Sequence, residues 1–191
     1  MEFSDIEFPE IEWKPWQPVS RPELIAWTVF YVFTLWMYRP LGTHYLDAVH
    51  MITHEAGHPL FSYTHNLTLT VAGGTLLELF IPAALAWAFV VRGHTTGTAF
   101  CAFMFFNAFI GIGIYMADAR AKVLPLVSLG ASSDEEIGHD WEYLFEQSQL
   151  LRHDIQIGNF TRMIGYLGMA ATIAWLAWMK KRLDDERAVP E

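Results

Sequence analysis

The chain has 191 residues, enough for one domain, and is 53% hydrophobic and 15% aromatic with only 17% charged residues. That is less charge than a soluble globular domain usually carries, and it points to a membrane protein. The formal charge of −9 argues against a nucleic-acid partner, and the single Cys101 excludes both an intramolecular disulfide and a multi-cysteine metal cluster.

Residues 1–22 form an acidic, proline-dotted arm. It is the reverse of the positive start of a signal peptide, and Trp13 and Trp16 suit the membrane–water interface. A polytopic membrane domain is expected over 23–183, followed by a polar tail over 184–191. Five apolar segments are expected within the domain, running about Leu24–Tyr38, His44–Tyr63, Leu76–Val91, Thr96–Met116 and Met163–Met179. Between the second and third, Leu67-Thr68-Leu69-Thr70-Val71 alternates apolar with β-branched polar residues and runs into Gly73-Gly74, which reads as a short extended strand with a turn. Cys101, inside the fourth segment, reads as a packed thiol. The polar loop 118–158 contains an expected amphipathic surface helix over Asp140–Leu151, with Trp141, Leu144, Phe145 and Leu151 on its apolar side. The fold class expected is therefore an all-α membrane protein. It has about five transmembrane or membrane-embedded helices, a short extended segment and one surface helix. If all five segments cross, Arg39, Arg92 and Lys180-Lys181-Arg182 share a side, which the positive-inside rule makes cytoplasmic. The expected location is a bacterial inner (plasma) membrane with the C-terminus in the cytoplasm.

The second segment carries His54-Glu55-Ala56-Gly57-His58, an H-E-x-x-H pattern. Residues four apart share a helix face, so both imidazoles can reach one metal ion, and Glu55 beside them can take a proton from a metal-bound water. Ionisable groups at membrane depth are costly and mark function. A catalytic zinc usually takes three protein ligands and keeps one position for water. Asp118, at the end of the fourth segment, is the first candidate for the third ligand. His139 or Asp140 is the alternative, although Asp140 can equally start a helix. His153-Asp154 is a weaker candidate. Asp47 is placed to orient an imidazole, and His50 is a ligand, a ligand's partner or a core histidine. Glu78 and Asn107, polar residues inside apolar segments, are expected to bond inside the bundle. Gly111 and Gly113 allow close helix approach.

The motif on an apolar helix resembles the signature of site-2-protease-type intramembrane zinc metalloproteases. In that family a strand follows the motif helix, for which Leu67–Val71 would be the counterpart, and the third ligand is an aspartate on a later helix, which by order is Asp118. Here Ala119 follows that aspartate where the family has glycine. The chain is also similar to small bacterial membrane proteins that combine the motif with Tyr115-x-x-Asp118-Ala119-Arg120 and His139-Asp140-Trp141, a likeness that implies no activity.

The expected function is a membrane-embedded, zinc-dependent hydrolase, an intramembrane peptidase. Glu55 would be its catalytic base, His54, His58 and Asp118 its metal ligands, and a membrane protein or peptide its substrate. The segment 67–74 would align an unwound substrate by strand addition. The alternative is a non-catalytic structural or accessory subunit of a larger membrane complex. A di-iron oxygenase is invited by the spacing of His50, His54 and His58, but the chain has no His-His pair.

Overall fold

The computed structural model describes residues 11–41, 46–124 and 138–188. The start of the acidic arm (1–10), His44, residues 125–137 of the polar loop and residues 189–191 lie outside them. Six α-helices and one 3₁₀ turn make up the regular structure of the described residues, with no strand among them. In order these are α1 (Arg21–Leu41), α2 (Asp47–Ser62), α3 (Leu67–Val91), α4 (Thr95–Ala117), α5 (Asp140–Gln147), a 3₁₀ turn (Leu151–His153) and α6 (Asp154–Ala188).

Local chemistry explains most helix starts. Ser20 and Glu23 form a reciprocal box at α1: the Ser20 hydroxyl accepts from Glu23 N, and the Glu23 carboxylate accepts from Ser20 N. Asn66 caps α3 by accepting from Leu69 N at 3.1 Å, His94 caps α4 by accepting from Gly97 N, and His139 caps α5 by accepting from Glu142 N.

The Asn66 cap corrects the extended segment expected over 67–71. Those residues form the first turns of α3, which begins nine residues earlier than the apolar run at Leu76 suggested. The alternation misled because both threonine hydroxyls find partners without leaving the helix. Thr70 Oγ1 donates back to the Asn66 carbonyl at 3.0 Å, and Thr68 Oγ1 lies 3.2 Å from Tyr143 Oη on α5. Gly73 and Gly74 make no turn. They lie inside α3, where their missing side chains let α2 approach: a Cβ on Gly57 would overlap the Gly73 carbonyl oxygen and lie 2.8 Å from Gly74 Cα.

Helices α4 and α6 run antiparallel in close contact. A Cβ on Gly113 would lie 2.5 Å from the Gly158 carbonyl oxygen, and further along Gly165 and Gly168 abut Phe106. Gly111, by contrast, faces open space. Packing here also explains why α6 starts at Asp154 rather than near Met163. Gly158 and Thr161 are buried in its first turns, although the sequence there is polar. Asp154 is buried and takes both nitrogens of a forked Arg120 contact, at 2.8 and 2.6 Å. One core cluster joins α1, α4 and α6 around Tyr31, Phe103, Ile110, Met169 and Leu176, with Tyr31 stacked on Phe103 at 4.2 Å. The arm closes the turn between α3 and α4: Lys14 N donates to the Val91 carbonyl, Gln17 N donates to the Gly93 carbonyl, and Trp13 meets Trp87 edge-on.

Among the described residues two helices are long and apolar enough to cross a membrane, α3 and α4, each with a mean hydropathy of 1.9 over its best window. This revises the expected five. Helix α2 has only 16 residues, about 24 Å of helix, and carries the polar motif. In α6 the apolar run is preceded by Asp154, Gln156, Asn159 and Arg162. The expected surface helix is also revised. Helix α5 ends at Gln147, and its apolar side faces protein, with Phe145 buried in a second core cluster with Ala108, Ile112, Met116 and Ala119 and with Trp141 packed against it.

Candidate metal centre

Helix α2 is held against α3 at Gly57 and Gly73, which sets the motif histidines on the protein side of α2. A Cβ on Gly74 would lie 2.6 Å from His54 Nε2. The side chain that Gly74 lacks is therefore the space the imidazole occupies. The site lies about 10 Å along α3 from its start, counting from Leu67 to Gly74 at the helical rise.

The two imidazoles are oriented by what their Nδ1 atoms touch. His58 Nδ1 lies 3.0 Å from the Thr70 carbonyl, which can only accept, so this nitrogen carries the proton. His54 Nδ1 lies 3.3 Å from Glu78 Oε2, and donates to the carboxylate. Both Nε2 atoms are thereby turned to a common point, where Asp140 Oδ2 stands 2.9 Å from His54 Nε2 and 3.4 Å from His58 Nε2. His54, His58 and Asp140 form one group whose ligand atoms all lie within 4.8 Å of each other. Asp140 is brought there by α5, whose first residue it is. Its backbone N–H donates to the Tyr115 hydroxyl at 3.2 Å, in the last turns of α4.

Electrostatics hold this cluster together. Burial opposes charge on His54, but its hydrogen bonds to Asp140 and Glu78 outweigh burial and raise its imidazole to about 9. Burial likewise disfavours the Asp140 carboxylate, yet hydrogen bonds from His54 and His58 draw it down to about 2. The hydrogen bond to Asp140 also raises His58.

The donor set is one that could hold a metal ion. It comprises two imidazole nitrogens with the correct tautomers enforced from behind and one carboxylate oxygen. The Asp140 oxygen lies 2.9 and 3.4 Å from the two nitrogens, close to the edge of about 3.3 Å of a tetrahedron built on bonds of about 2.0–2.1 Å. His54, His58 and Asp140 would hold the ion.

The structure does not bring Asp118 into this group. Its two carboxylate oxygens each accept a backbone N–H, from Val123 and Leu124 at 3.0 Å, closing the turn after α4. It faces His139 Nε2 at 3.8 Å. His139 is buried, caps α5 through Nδ1 and lies tilted against Tyr115 with ring centroids 4.1 Å apart; burial lowers its pKa. Asp154 is engaged with Arg120. The Nδ1 positions that Asp47 was expected to serve are taken by Glu78 and Thr70. Glu55 is partly buried one residue from His54. Sequence reasoning placed Thr70 in a substrate-aligning strand and not behind a ligand, because it contributes only a carbonyl there and leaves no side-chain signal. Gly74 was read as part of a turn, although a glycine pair inside an apolar run was a visible mark of close helix approach.

Compared with known proteins, the chain matches no family model, and neither a curated protein nor a solved structure is significantly similar to it.

Proposed function

We propose that the protein is a membrane-embedded, zinc-dependent hydrolase acting on peptide bonds. The observation that carries this reading is the convergence of His54 Nε2 and His58 Nε2 on one Asp140 oxygen, with each Nδ1 committed to an acceptor behind it. A cation bound there would supply Lewis-acid polarisation of a carbonyl and acidify a water. Glu55 would receive the proton of that water on its carboxylate and return it to the leaving amine. Tyr115, through its hydroxyl, holds the backbone of Asp140 in place. The resemblance of His54–His58 to site-2-protease-type enzymes supports the peptidase class. Residues 67–74 are helical, so the strand-adding role expected for them is not part of this reading.

Support for the membrane comes from α3. A helix of this hydropathy in the core of a soluble protein would be mostly covered, yet only 17% of its apolar window is buried, and Leu69, Leu76, Phe80, Leu85 and Trp87 are exposed. Arg92 and the end of α6, with Lys180, Lys181 and Arg182, belong to the end of the α3–α4 hairpin away from the cluster. The positive-inside rule would make that end cytoplasmic.

A second reading is a structural subunit. It is favoured by one observation: the cluster satisfies its own polar groups as ion pairs. Elemental analysis of the detergent-purified protein separates the two. The hydrolase reading expects about one zinc per chain, lost in His58→Ala. It also expects Glu55→Gln to keep zinc and lose cleavage of a labelled casein. A wild-type protein free of metal, or a Glu55→Gln variant of full activity, would overturn it.

A further inference from the structure

Behind the candidate metal ligands a line of polar side chains continues into the bundle. Glu78 is 5% exposed and sits on α3 among apolar residues. Its carboxylate faces two histidines of α2. Oε2 is 3.3 Å from His54 Nδ1, and Oε1 is 3.7 Å from His50 Nδ1. The other nitrogen of His50, Nε2, donates to Asn107 Oδ1 at 3.0 Å, and Asn107 is fully buried on α4. Counting along the helices, Glu78 and Asn107 lie about 15 Å from the same end of the α3–α4 hairpin. Three helices thus each contribute to one buried line, Asn107–His50–Glu78–His54.

The two candidate imidazole ligands are supported differently. His58 is oriented by the Thr70 carbonyl, a neutral acceptor built into the backbone of α3. His54 is oriented by a side chain that can carry a full charge. An anionic acceptor at Nδ1 both selects the tautomer and makes Nε2 the better donor to a cation. Burying a carboxylate in an apolar helix is costly unless it is matched by partners, and here both of its oxygens face imidazoles.

We propose that Glu78 is the positioning residue of the metal site: it holds His54 with Nε2 presented to the ion, while His50, anchored on Asn107, packs beside the other Glu78 oxygen. This rests on the metal reading above. It assigns to α3, a helix that contributes no ligand, control over how tightly the ion is held.

The test uses the full chain in detergent, stripped of metal, with zinc affinity measured by competition against a chelator and cobalt(II) absorption as a report of ligand geometry. Glu78→Gln keeps the shape and an accepting oxygen but removes the charge, whereas Glu78→Leu removes both. Losing a hydrogen-bond acceptor behind a ligating imidazole costs about 10–100-fold in affinity. The expected order is therefore wild type, then Glu78→Gln weaker by about tenfold, then Glu78→Leu weaker by about 100-fold, with an altered cobalt spectrum. Melting of the metal-free proteins is followed in parallel. If Glu78→Leu fails to fold, the isosteric Glu78→Gln decides alone. Equal zinc affinity in wild type and Glu78→Gln, together with an unchanged cobalt spectrum, overturns the role of Glu78 while leaving the metal reading intact. A wild-type protein that binds neither zinc nor cobalt overturns the metal reading, and this inference with it.

Discussion

Gly74→Ala is the substitution that separates site from scaffold. The added methyl would sit 2.6 Å from His54 Nε2 and 2.8 Å from both Cδ2 and Cε1 of the same ring. Ordinary contact begins at about 3.5 Å, so the ring must withdraw by about 1 Å. Metal–ligand distances tolerate only about 0.2 Å. A retreat several times larger removes His54 from the group, and zinc affinity should fall by at least about 100-fold. The fold should survive, because the obstruction is the end of a side chain, and alanine in a helix gains up to about 1 kcal/mol over glycine. Two neighbouring substitutions bracket the effect. Gly57→Ala drives its methyl into the Gly73 carbonyl and Gly74 Cα, where no rotamer gives relief. Helices α2 and α3 must then part, at an overpacking cost of about 1–3 kcal/mol. Gly111→Ala meets nothing within 4 Å and should leave both stability and affinity at wild-type values or slightly above. Thermal melting by circular dichroism and chelator competition on the same samples read the two quantities separately. Wild-type zinc affinity in Gly74→Ala, with an unchanged melting temperature, would refute the placement of the imidazole against α3.

Asp140→Asn should weaken zinc binding by tenfold or more, while Asp118→Asn should leave zinc binding in place and lower stability by about 1–2 kcal/mol through its two backbone hydrogen bonds; chelator competition and chemical unfolding check the pair, and the reverse pattern would return the third-ligand role to Asp118. Phe80, 66% exposed near the middle of α3, is expected to face lipid. Phe80→Asp should disfavour membrane insertion by about 3 kcal/mol, measured as the share of chain in the membrane fraction, and an unchanged share would argue that α3 does not cross.

The pair His54 and His58 was legible because a four-residue spacing survives any tertiary arrangement of the helix that bears it. The third ligand was not. Asp118, His139 and Asp140 are all acids or imidazoles near the end of α4, and what divides them is where α5 is laid down. That depends on Phe145 and Trp141 packing onto α4, a contact without a local signature. Glu78 and Asn107 were visible as polar intrusions in apolar runs, but the sequence could not say that His50 would stand between them. The misread strand shows the limit of alternation as a signal. Leu67–Val71 has the period of a strand, yet an asparagine cap and a back-bonding threonine make a helix there equally satisfied. The surplus of expected spans has a similar origin. Apolar runs in α1 and α6 pack against α4 and against each other, as the buried Tyr31, Met169 and Leu176 show.

Charge balance decides how a site so enclosed can exist with and without its ion. With Glu78 and Asp140 ionised and both imidazoles neutral, the group carries two negative charges, which a divalent cation cancels. Without the ion, protons on the histidines serve the same end, as the raised His54 and His58 indicate. Exchange of one cation for protons therefore changes the buried charge little, and avoids the desolvation cost of leaving the carboxylates unmatched. The sign for the metal-free protein follows. The His54 contribution to stability is fully present below its unfolded value near 6.5 and is lost as pH rises through about 9. The Asp140 contribution is present above its unfolded value near 3.8 and is lost as pH falls through about 2. Zinc must displace the histidine protons, so its affinity should climb between pH 6 and pH 9 by up to about tenfold per pH unit for each proton released. Calorimetric titration of the metal-free protein in buffers of different ionisation enthalpy counts those protons directly. A count between one and two at pH 7 is expected. Zinc binding with no proton release would mean that the ion enters elsewhere than between His54, His58 and Asp140.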